Sequence, residues 1–193
     1  EVGPASIIYP NVFLQGKTKL GSSVIVETGS IIKNSKIEDK VQVKAHCYIT
    51  DSVIQKSAAI GPFAHLRPET EIGPEVKIGN FVEIKKSRLG KGAKVSHLSY
   101  VGDADIGEES NLGCGFITCN YDGQKKHKTI IGDRTFVGSD SQVVAPVTIG
   151  NDCYVASSTT ITHNMPDGSF AISRGRQVTK EGLAKKFLKT PKS

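Results

Sequence analysis

A branched aliphatic residue recurs at about every sixth position of this chain, from Ile8 to Ile161. The step shortens to five residues at intervals, as between Ile32 and Ile37, and glycine often follows the aliphatic residue. Neither the 3.6-residue period of a helix nor the two-residue alternation of an ordinary strand produces this spacing. A six-residue period is typical of a solenoid whose short flat strands meet at corners, three strands to a coil. The sequence therefore predicts an all-β fold made of hexapeptide repeats.

The repeat also predicts the size of the solenoid. Three strands and their corners make a coil of about 17–18 residues, and adjacent coils stack at about 4.8 Å, the usual spacing between strands. We therefore expect about eight or nine coils in a prism about 40 Å tall. Each coil leaves its hydrogen-bonding edges open to the next coil, so the two ends of the stack need caps.

One segment inside the repeat abandons the period. Between Thr118 and Ile130 the residues become polar, with Asp122–Gly123 suited to a turn and several lysines nearby. Loops that protrude from a rigid frame are where ligands usually bind. We therefore predict an extruded loop near residues 118–130 that contributes to a binding site.

The other departure is the tail at residues 164–193, where Met165–Pro166 interrupts the repeat. The apolar residues on one side of a short helical pattern there are Leu183, Phe187 and Leu188. We expect a solenoid over residues 1–163, followed by a tail whose short amphipathic helix caps the last coil.

Charge and composition narrow the classes of partner. The formal net charge of +6 admits nucleic acids, acidic lipids and phosphorylated small molecules. The sequence lacks a basic patch with interleaved aromatic residues, which argues against nucleic-acid binding. No apolar run approaches the length of about 20 residues that a membrane span needs. The four cysteines form no CxxC pair, so we interpret them as reduced thiols of a cytoplasmic protein.

One residue is suited to proton transfer. His97 lies two places after the aliphatic Val95, and a neutral imidazole near pH 7 is the best proton acceptor for an amine or a hydroxyl. Glu83 precedes His97 by fourteen residues, and from the coil below it could orient the imidazole. The alternative is an ordinary surface histidine, and spacing alone leaves both readings open.

Other polar residues suit a phosphorylated sugar. The basic residues that could gather around a phosphate are Arg67, Lys85 and Lys126. Asn111 and Asn120 suit sugar hydroxyls or an amide, although asparagine is also a turn residue and dispersed cations are often only solvated. Gly113-Cys114-Gly115 allows a ligand to approach the backbone closely, as an oxyanion-stabilising N–H requires.

Five stretches of the sequence, taken in order, resemble a known family. They are His65–Pro68, Gly79–Ser87, His97–Ala104, Ile117–Gly123 and Val144–Val147. Along essentially its whole length the chain resembles the acetyltransferase domain of the bacterial bifunctional N-acetylglucosamine-1-phosphate uridyltransferase / glucosamine-1-phosphate N-acetyltransferase. Hexapeptide repeats alone indicate a broad acyltransferase superfamily, whereas the segments Asn-Tyr-Asp-Gly and Asn-Phe-Val-Glu are far more specific.

The resemblance implies a left-handed parallel β-helix that assembles as a homotrimer with each active site between subunits. It implies acetyl-CoA-dependent N-acetylation of glucosamine 1-phosphate, a step towards UDP-N-acetylglucosamine for cell-wall and lipopolysaccharide synthesis. Acetyl-CoA would be a co-substrate, with no tightly bound cofactor and no metal in this domain. Mg²⁺ is expected only for an amino-terminal uridyltransferase domain, whose residues are not in this sequence. Neither a nucleic acid nor a membrane is an expected partner.

The resemblance also implies roles for individual residues. His97 matches the general base, supported by Glu83 and Asn120. The positions that match sugar and phosphate contacts are Arg67, Lys85, Tyr100, Asn111 and Lys126. The positions that match the acetyl-CoA site are Asn120, Tyr121, Ser139, Ser157 and Arg174, with the backbone of Cys114 at the oxyanion and Lys180 reaching the coenzyme from a neighbouring chain. The tail would thus complete the coenzyme site.

Two positions depart from the family's pattern, and other functions remain open. Cys114 stands where alanine is usual and Ser157–Ser158 replace an Ala-Gly-type pair, so larger side chains would narrow the pantetheine channel. The alternatives are another hexapeptide-repeat acyltransferase, a zinc carbonic anhydrase of β-helical type, and a binding solenoid without catalysis. The zinc enzymes need three converging histidines, two of them close in sequence, whereas the five histidines here are dispersed.

Overall fold

A computed structural model of the chain describes residues 1–188 and shows a left-handed parallel β-helix. Twenty-seven strands of two to four residues stack in three parallel sheets, and the described residues contain a single short helix. The predicted all-β solenoid is confirmed. None of the helical structure within residues 1–188 is long and apolar enough to cross a membrane.

The three faces of the prism are named sheet 1, sheet 2 and sheet 3. Sheet 1 contains β1 (Ile7–Ile8), β4 (Ile25–Val26), β7 (Gln42–Val43), β10 (Ala59–Ile60), β13 (Lys77–Asn80), β16 (Lys94–His97), β19 (Asn111–Leu112), β22 (Phe136–Val137), β25 (Tyr154–Val155) and β27 (Phe170–Ala171). Sheet 2 contains β2 (Phe13–Gln15), β5 (Ile31–Lys33), β8 (Tyr48–Thr50), β11 (His65–Leu66), β14 (Glu83–Lys85), β17 (Tyr100–Gly102), β20 (Ile117–Cys119), β23 (Gln142–Val144) and β26 (Thr160–Ile161). Sheet 3 contains β3 (Lys19–Leu20), β6 (Lys36–Ile37), β9 (Ser52–Ile54), β12 (Thr70–Ile72), β15 (Arg88–Leu89), β18 (Ala104–Ile106), β21 (Thr129–Ile131) and β24 (Val147–Ile149).

From Leu20 to Ile161 the recurring aliphatic residues point into the prism and form one continuous core, whereas Ile8 in the first coil is 41% exposed. In β14, Ile84 is fully buried, while Glu83 and Lys85 on either side of it lie on the outer surface. Burial of these side chains holds the coils together, at about 0.8 kcal/mol for each CH₂ group. Sheet 1 has ten strands, so the stack is taller than the eight or nine coils expected, because β27 continues it beyond residue 163.

The corners place residues of successive coils directly above one another. Corner 1 joins sheet 1 to sheet 2, and corner 2 joins sheet 2 to sheet 3. Each is turned by a residue in the left-handed backbone region, such as Leu98 (φ 47°) at corner 1 and Asp103 (φ 49°) at corner 2. The N–H of this residue donates to the coil below, from Leu98 to Asn80 (3.1 Å) and from Asp103 to Lys85 (3.0 Å). Side chains one coil apart are therefore neighbours.

The predicted loop near residues 118–130 is present between β20 and β21. Asp105 of β18 pairs with Ile130 of β21, a step of 25 residues along the chain. One coil earlier the same sheet steps from Arg88 to Asp105. The extra residues leave the stack as a loop while the strands on both sides keep their register.

The tail differs from the expectation. Met165 is 9% exposed and bridges to Ile149, and Ala171 packs against the core, so an extended segment covers the last coil. The helix is a four-residue 3₁₀ turn at Leu183–Lys186 with no buried residue. Phe187 is 81% exposed, so the cap does not come from an amphipathic helix. The predicted tail also includes residues 189–193, which lie outside the described residues.

The buried core predicts where a phenylalanine matters for stability. Phe116 is fully buried, so Phe116→Ala should lower the free energy of unfolding by about 3–5 kcal/mol through lost burial and a new cavity. Phe63 is 48% exposed and stacks on its corner neighbours, so Phe63→Ala should cost less than about 1.5 kcal/mol. Urea unfolding followed by circular dichroism measures both, and equal losses would contradict the assignment of the core.

Candidate active site

Several predicted site residues stack at corner 1. Asn80 is in register with His97. The successive pairings of β16 with β19, of β19 with β22 and of β22 with β25 continue the same column upward. We call this set the corner column: Asn80, His97, Cys114, Ser139 and Ser157. The predicted base, the predicted oxyanion donor and two predicted coenzyme residues therefore occupy successive coils, separated by about one strand spacing each.

The imidazole of His97 is held by a side chain that the sequence reasoning missed. Its Nδ1 lies 2.9 Å from Oδ1 of Asn80. An amide oxygen only accepts, so Nδ1 carries the proton and the lone pair of Nε2 is left for an incoming proton. The ring is exposed to solvent, as a base that meets a substrate must be.

Glu83 does not take the orienting role that was expected of it. Its Oε1 accepts a hydrogen bond from Arg67 Nη1 at 2.8 Å, on the outer face of sheet 2. The physical reason is the length of the coil. The residue below His97 is 17 positions earlier, which is Asn80, whereas Glu83 has already passed the corner. Burial lowers the pKa of the neighbouring His65, and the Glu83 carboxylate opposes this.

Cys114 presents an open backbone N–H. Within residues 1–188 this N–H has no acceptor, while the Cys114 carbonyl accepts from the N–H of Asp140 at 2.7 Å and the N–H of Gly115 donates to His97 at 3.3 Å. The Cys114–Gly115 peptide is thus anchored at both its carbonyl and its N–H, and the N–H of the preceding peptide, which is that of Cys114, is left free. A methyl group on Gly113 would overlap the backbone of Ser139, so this corner requires glycine.

The four thiols have different surroundings. All are free, as expected for reduced cysteines. Cys47 and Cys153 are buried, and burial raises the pKa of the Cys47 thiol to about 11. Cys114 and Cys119 are half-buried near the site. No three His, Cys, Asp or Glu side chains of residues 1–188 form a group that could hold a metal ion.

The upper part of the corner column meets the tail. Arg174 Nη1 donates to the carbonyl oxygen of Ser157 at 2.6 Å, which ties the tail to the last regular coil. Lys180 lies six residues further along the same exposed segment. The structure therefore brings Arg174 to Ser157, one of the predicted coenzyme residues.

A second set of predicted residues lies on the outer face of sheet 2. Arg67, Lys85 and Gly102 follow one another in register. Tyr100 lies beside them with its ring over Gly102, where a methyl group would overlap its hydroxyl. Because Gly102 has no side chain, the ring of Tyr100 can pack over it beside Arg67 and Lys85.

Lys126 joins this set from the loop. The side chain of Lys85 contacts it and lowers the pKa of Lys126, because two ammonium groups disfavour each other's charge. The Asp103 carboxylate lies 3.9 Å from Lys85 Nζ and opposes this effect. Lys85 and Lys126 thus place two positive charges next to one carboxylate, that of Asp103. This local excess of positive charge attracts an anion.

The loop is held together by hydrogen bonds among its own residues. The Asp122 carboxylate accepts from the N–H groups of Lys125 (2.6 Å) and Gln124 (2.7 Å) and contacts His127 Nε2 at 2.6 Å. These donors, Lys125 first, hold the pKa of Asp122 well below its usual range. Tyr121 is 60% exposed and its hydroxyl donates to the carbonyl of Gly123 at 2.6 Å.

Asn111 is not brought to this face. It belongs to β19 on sheet 1, in register with Lys94 and Phe136. In one chain it lies around corner 1 from Arg67 and Lys85. The predicted sugar-binding residues are thus divided between two faces of the prism.

A comparison with known proteins identifies the family. A family model described as the GMPPB C-terminal domain matches residues 48–165, which is more than half of the chain. The chain belongs to the GMPPB C-terminal domain family. The residues matched to this family include the corner column and the cationic set on sheet 2.

Curated relatives of this family member match nearly all of it. The chain is 54% identical over 188 residues to the bifunctional protein GlmU of Thermodesulfovibrio yellowstonii, covering 97% of this chain and 42% of that protein. It is 51% identical over 181 residues to the bifunctional protein GlmU of Pelobacter propionicus, covering 94% of this chain and 39% of that protein. The chain spans about two fifths of the length of these relatives. The resemblance found in the sequence motifs is confirmed.

A solved structure shares the fold of this family member. It is the UDP-N-acetylglucosamine acyltransferase LpxA of Bacteroides fragilis 9343, with a TM-score of 0.51 over 84% of this chain and 68% of that chain. The identity is 15%, so this likeness shows the fold alone.

The contact between Asn80 and His97 predicts a tautomer. In the wild type the neutral imidazole should carry its proton on Nδ1, and Asn80→Ala should move that proton to Nε2 because the acceptor is gone. Nitrogen-15 NMR of the ring at a pH where it is neutral distinguishes the two forms. His163, whose ring contacts the hydroxyl of Thr162, is the internal control and should not change. The same His97 tautomer in both proteins would contradict the assignment.

Proposed function

We propose that this chain catalyses the acetyl-CoA-dependent N-acetylation of glucosamine 1-phosphate. The observation that carries the proposal is the corner column, where the free Nε2 of His97 lies one coil below the open N–H of Cys114. A base and an oxyanion donor at this separation suit an amine attacking a thioester. The motif resemblance supports the sugar phosphate as acceptor and acetyl-CoA as donor. We further propose that the reaction takes place in the cytoplasm.

In this mechanism His97 removes one proton from the amine as its nitrogen bonds to the thioester carbon. The carbonyl oxygen becomes negative and accepts the N–H of Cys114. The carbon–sulfur bond then breaks, and coenzyme A leaves as the thiolate or takes up the proton held by His97. General base catalysis of this type contributes about 10²–10⁴-fold, and an oxyanion donor about 10²–10³-fold. Cys114 acts through its backbone, so no acyl-enzyme is needed.

We propose that the cations on sheet 2 bind the phosphate of the sugar. Arg67 supplies a planar fork, and Lys85 and Lys126 supply point charges. The ion pair with Glu83 holds the Arg67 guanidinium against the sheet, which gives Glu83 a supporting role at the phosphate instead of at the base. Tyr100 lies between this set and His97, where it would contact the sugar.

We propose that acetyl-CoA lies along the upper corner column. Ser139 and Ser157 follow Cys114 on successive coils, so a pantetheine arm laid along them would deliver its thioester to the Cys114 N–H. Arg174 provides a positive charge at the far end of that path. Tyr121 and Asn120 at the base of the loop would contact the donor near the reacting carbon.

We propose a homotrimer with each site between two chains. The division of the candidate residues supports it, since Asn111 on sheet 1 and Arg67 on sheet 2 face different directions in one chain. Sheet 1 of one subunit set against sheet 2 of the next would bring them together. The exposed tail with Lys180 would likewise reach a neighbouring chain.

Removal of the imidazole tests the mechanism. His97→Ala should lower kcat at least about 100-fold, because the amine loses its proton acceptor, with little change in the unfolding temperature. Release of coenzyme A thiol in the presence of glucosamine 1-phosphate measures the rate. His163→Ala is the matched control, since that ring is exposed just after the last strand of sheet 2, and it should remain active. A fully active His97→Ala would rule out this mechanism.

A mixing experiment tests whether each site needs two chains. Asn111→Asp places a negative charge where the anionic sugar would bind, so this variant and His97→Ala should each be inactive alone. Coexpression with two different tags should restore about a quarter of the wild-type sites, the fraction of randomly formed interfaces with both residues intact. Mixed oligomers isolated through both tags that show no recovery would contradict a shared site.

A further inference from the structure

We infer that Asp103 is a positioning residue that sets the orientation of the Asn120 amide for the reaction. This inference rests on the proposed function. Asp103 matches none of the contacts that the resemblance implies, and its carboxylate has the wrong sign to bind a phosphate. Asp103 nevertheless lies at corner 2 beside Lys85, Asn120 and Lys126. Its role at this position therefore needs another explanation.

Asp103 joins both ends of the loop to the solenoid. Its carboxylate accepts a hydrogen bond from Nδ2 of Asn120, where the loop begins. Its backbone carbonyl accepts the N–H of Thr129 at 3.1 Å, where the loop returns to sheet 3. Its own N–H donates to Lys85 in the coil below. The side chain is 11% exposed, so these contacts are shielded from water.

The charge of Asp103 decides which end of the Asn120 amide faces outward. A carboxylate only accepts hydrogen bonds, so it selects the NH₂ group of the amide and repels its oxygen. Within residues 1–188, no group donates a hydrogen bond to Oδ1 of Asn120. In this part of the chain, Thr129 Oγ1 is the one side-chain oxygen or nitrogen that is fully buried without a partner, so Oδ1 of Asn120 is not fully buried. Asn120 is 7% exposed, and its amide oxygen is therefore available as an acceptor.

In one chain Asn120 lies at corner 2 and His97 at corner 1. In the proposed trimer, where each site lies between two chains, the Asn120 oxygen of one chain would accept from the amine held at His97 of its neighbour. One N–H of the attacking amine loses its proton to His97, and the other N–H needs an acceptor while positive charge develops on the nitrogen. An amide oxygen stabilises that charge, whereas an amide NH₂ would oppose it. Asp103 would thereby act on the reaction through Asn120 and not by touching the substrate.

The chain offers a matched control at the same corner. Asp51 turns corner 2 three coils below Asp103, with φ 46° against 49°. It makes the same backbone contacts, from its N–H to Lys33 (3.0 Å) and from Glu69 to its carbonyl (3.1 Å). Its side chain has no hydrogen-bond partner within residues 1–188. Asp51→Ala therefore measures how much kcat changes when an aspartate with this backbone conformation is replaced but no side-chain hydrogen bond is lost.

Kinetics in a double-mutant cycle test the link. Asp103→Ala should lower kcat at least about 10-fold, and Asp51→Ala should not. In the Asn120→Ala background, Asp103→Ala should change kcat by less than about threefold, because the group it orients is gone. A rise in KM for glucosamine 1-phosphate should persist there, since Asp103 also faces Lys85. Unchanged kcat in Asp103→Ala, or losses that multiply in the double variant, would overturn the inference.

A structural measurement separates this inference from the proposed function. The side-chain amide signals of Asn120, assigned by their loss in Asn120→Ala, should shift in Asp103→Ala and remain in place in Asp51→Ala. Signals that stay in place in Asp103→Ala would overturn the inference whatever the activity. Shifted signals in a wild type that does not acetylate glucosamine 1-phosphate would leave the contact intact and contradict the proposed function.

Discussion

The hydrogen bonds between the backbones of successive coils are the constraint on which the rest of this structure depends. They keep equivalent residues of successive coils in register, 18 positions apart between Ile7 and Ile25 and 17 between Arg88 and Asp105. Where the loop intervenes, the same register spans 25 positions, between Asp105 and Ile130. The inward side chains then stack into one core, and the outward side chains stack into columns. A functional group is therefore placed by the height of its coil and by the face or corner on which it falls.

This register explains why the candidate site residues are distributed over corner 1, sheet 2 and the loop. Corner 1 carries the imidazole of His97 and, one coil higher, the open N–H of Cys114. Sheet 2 carries the cations, and the loop adds Lys126 without disturbing the strands on either side of it. Because the strands and corners that carry these groups are hydrogen-bonded to the coils above and below, the reacting molecules must be brought to them. That requirement is consistent with a site completed by a second chain.

The six-residue period was enough to predict the sheets, the buried aliphatic residues and the position of the loop. The partner of His97 could not be obtained from the same pattern, because the exact coil length at that corner decides between Glu83 and Asn80. A count of 17 residues back from His97 would have found Asn80. The tail was harder, since the helix-like spacing of Leu183 and Phe187 carries no information on whether a surface is there to receive it.

A crystal structure with glucosamine 1-phosphate and a non-reactive thioether analogue of acetyl-CoA tests the central claim most directly. The account predicts the sugar nitrogen within hydrogen-bond distance of His97 Nε2 and the analogue's carbonyl oxygen within the same distance of the Cys114 N–H. An acyl group bound away from the corner column, with His97 facing only solvent, would contradict it.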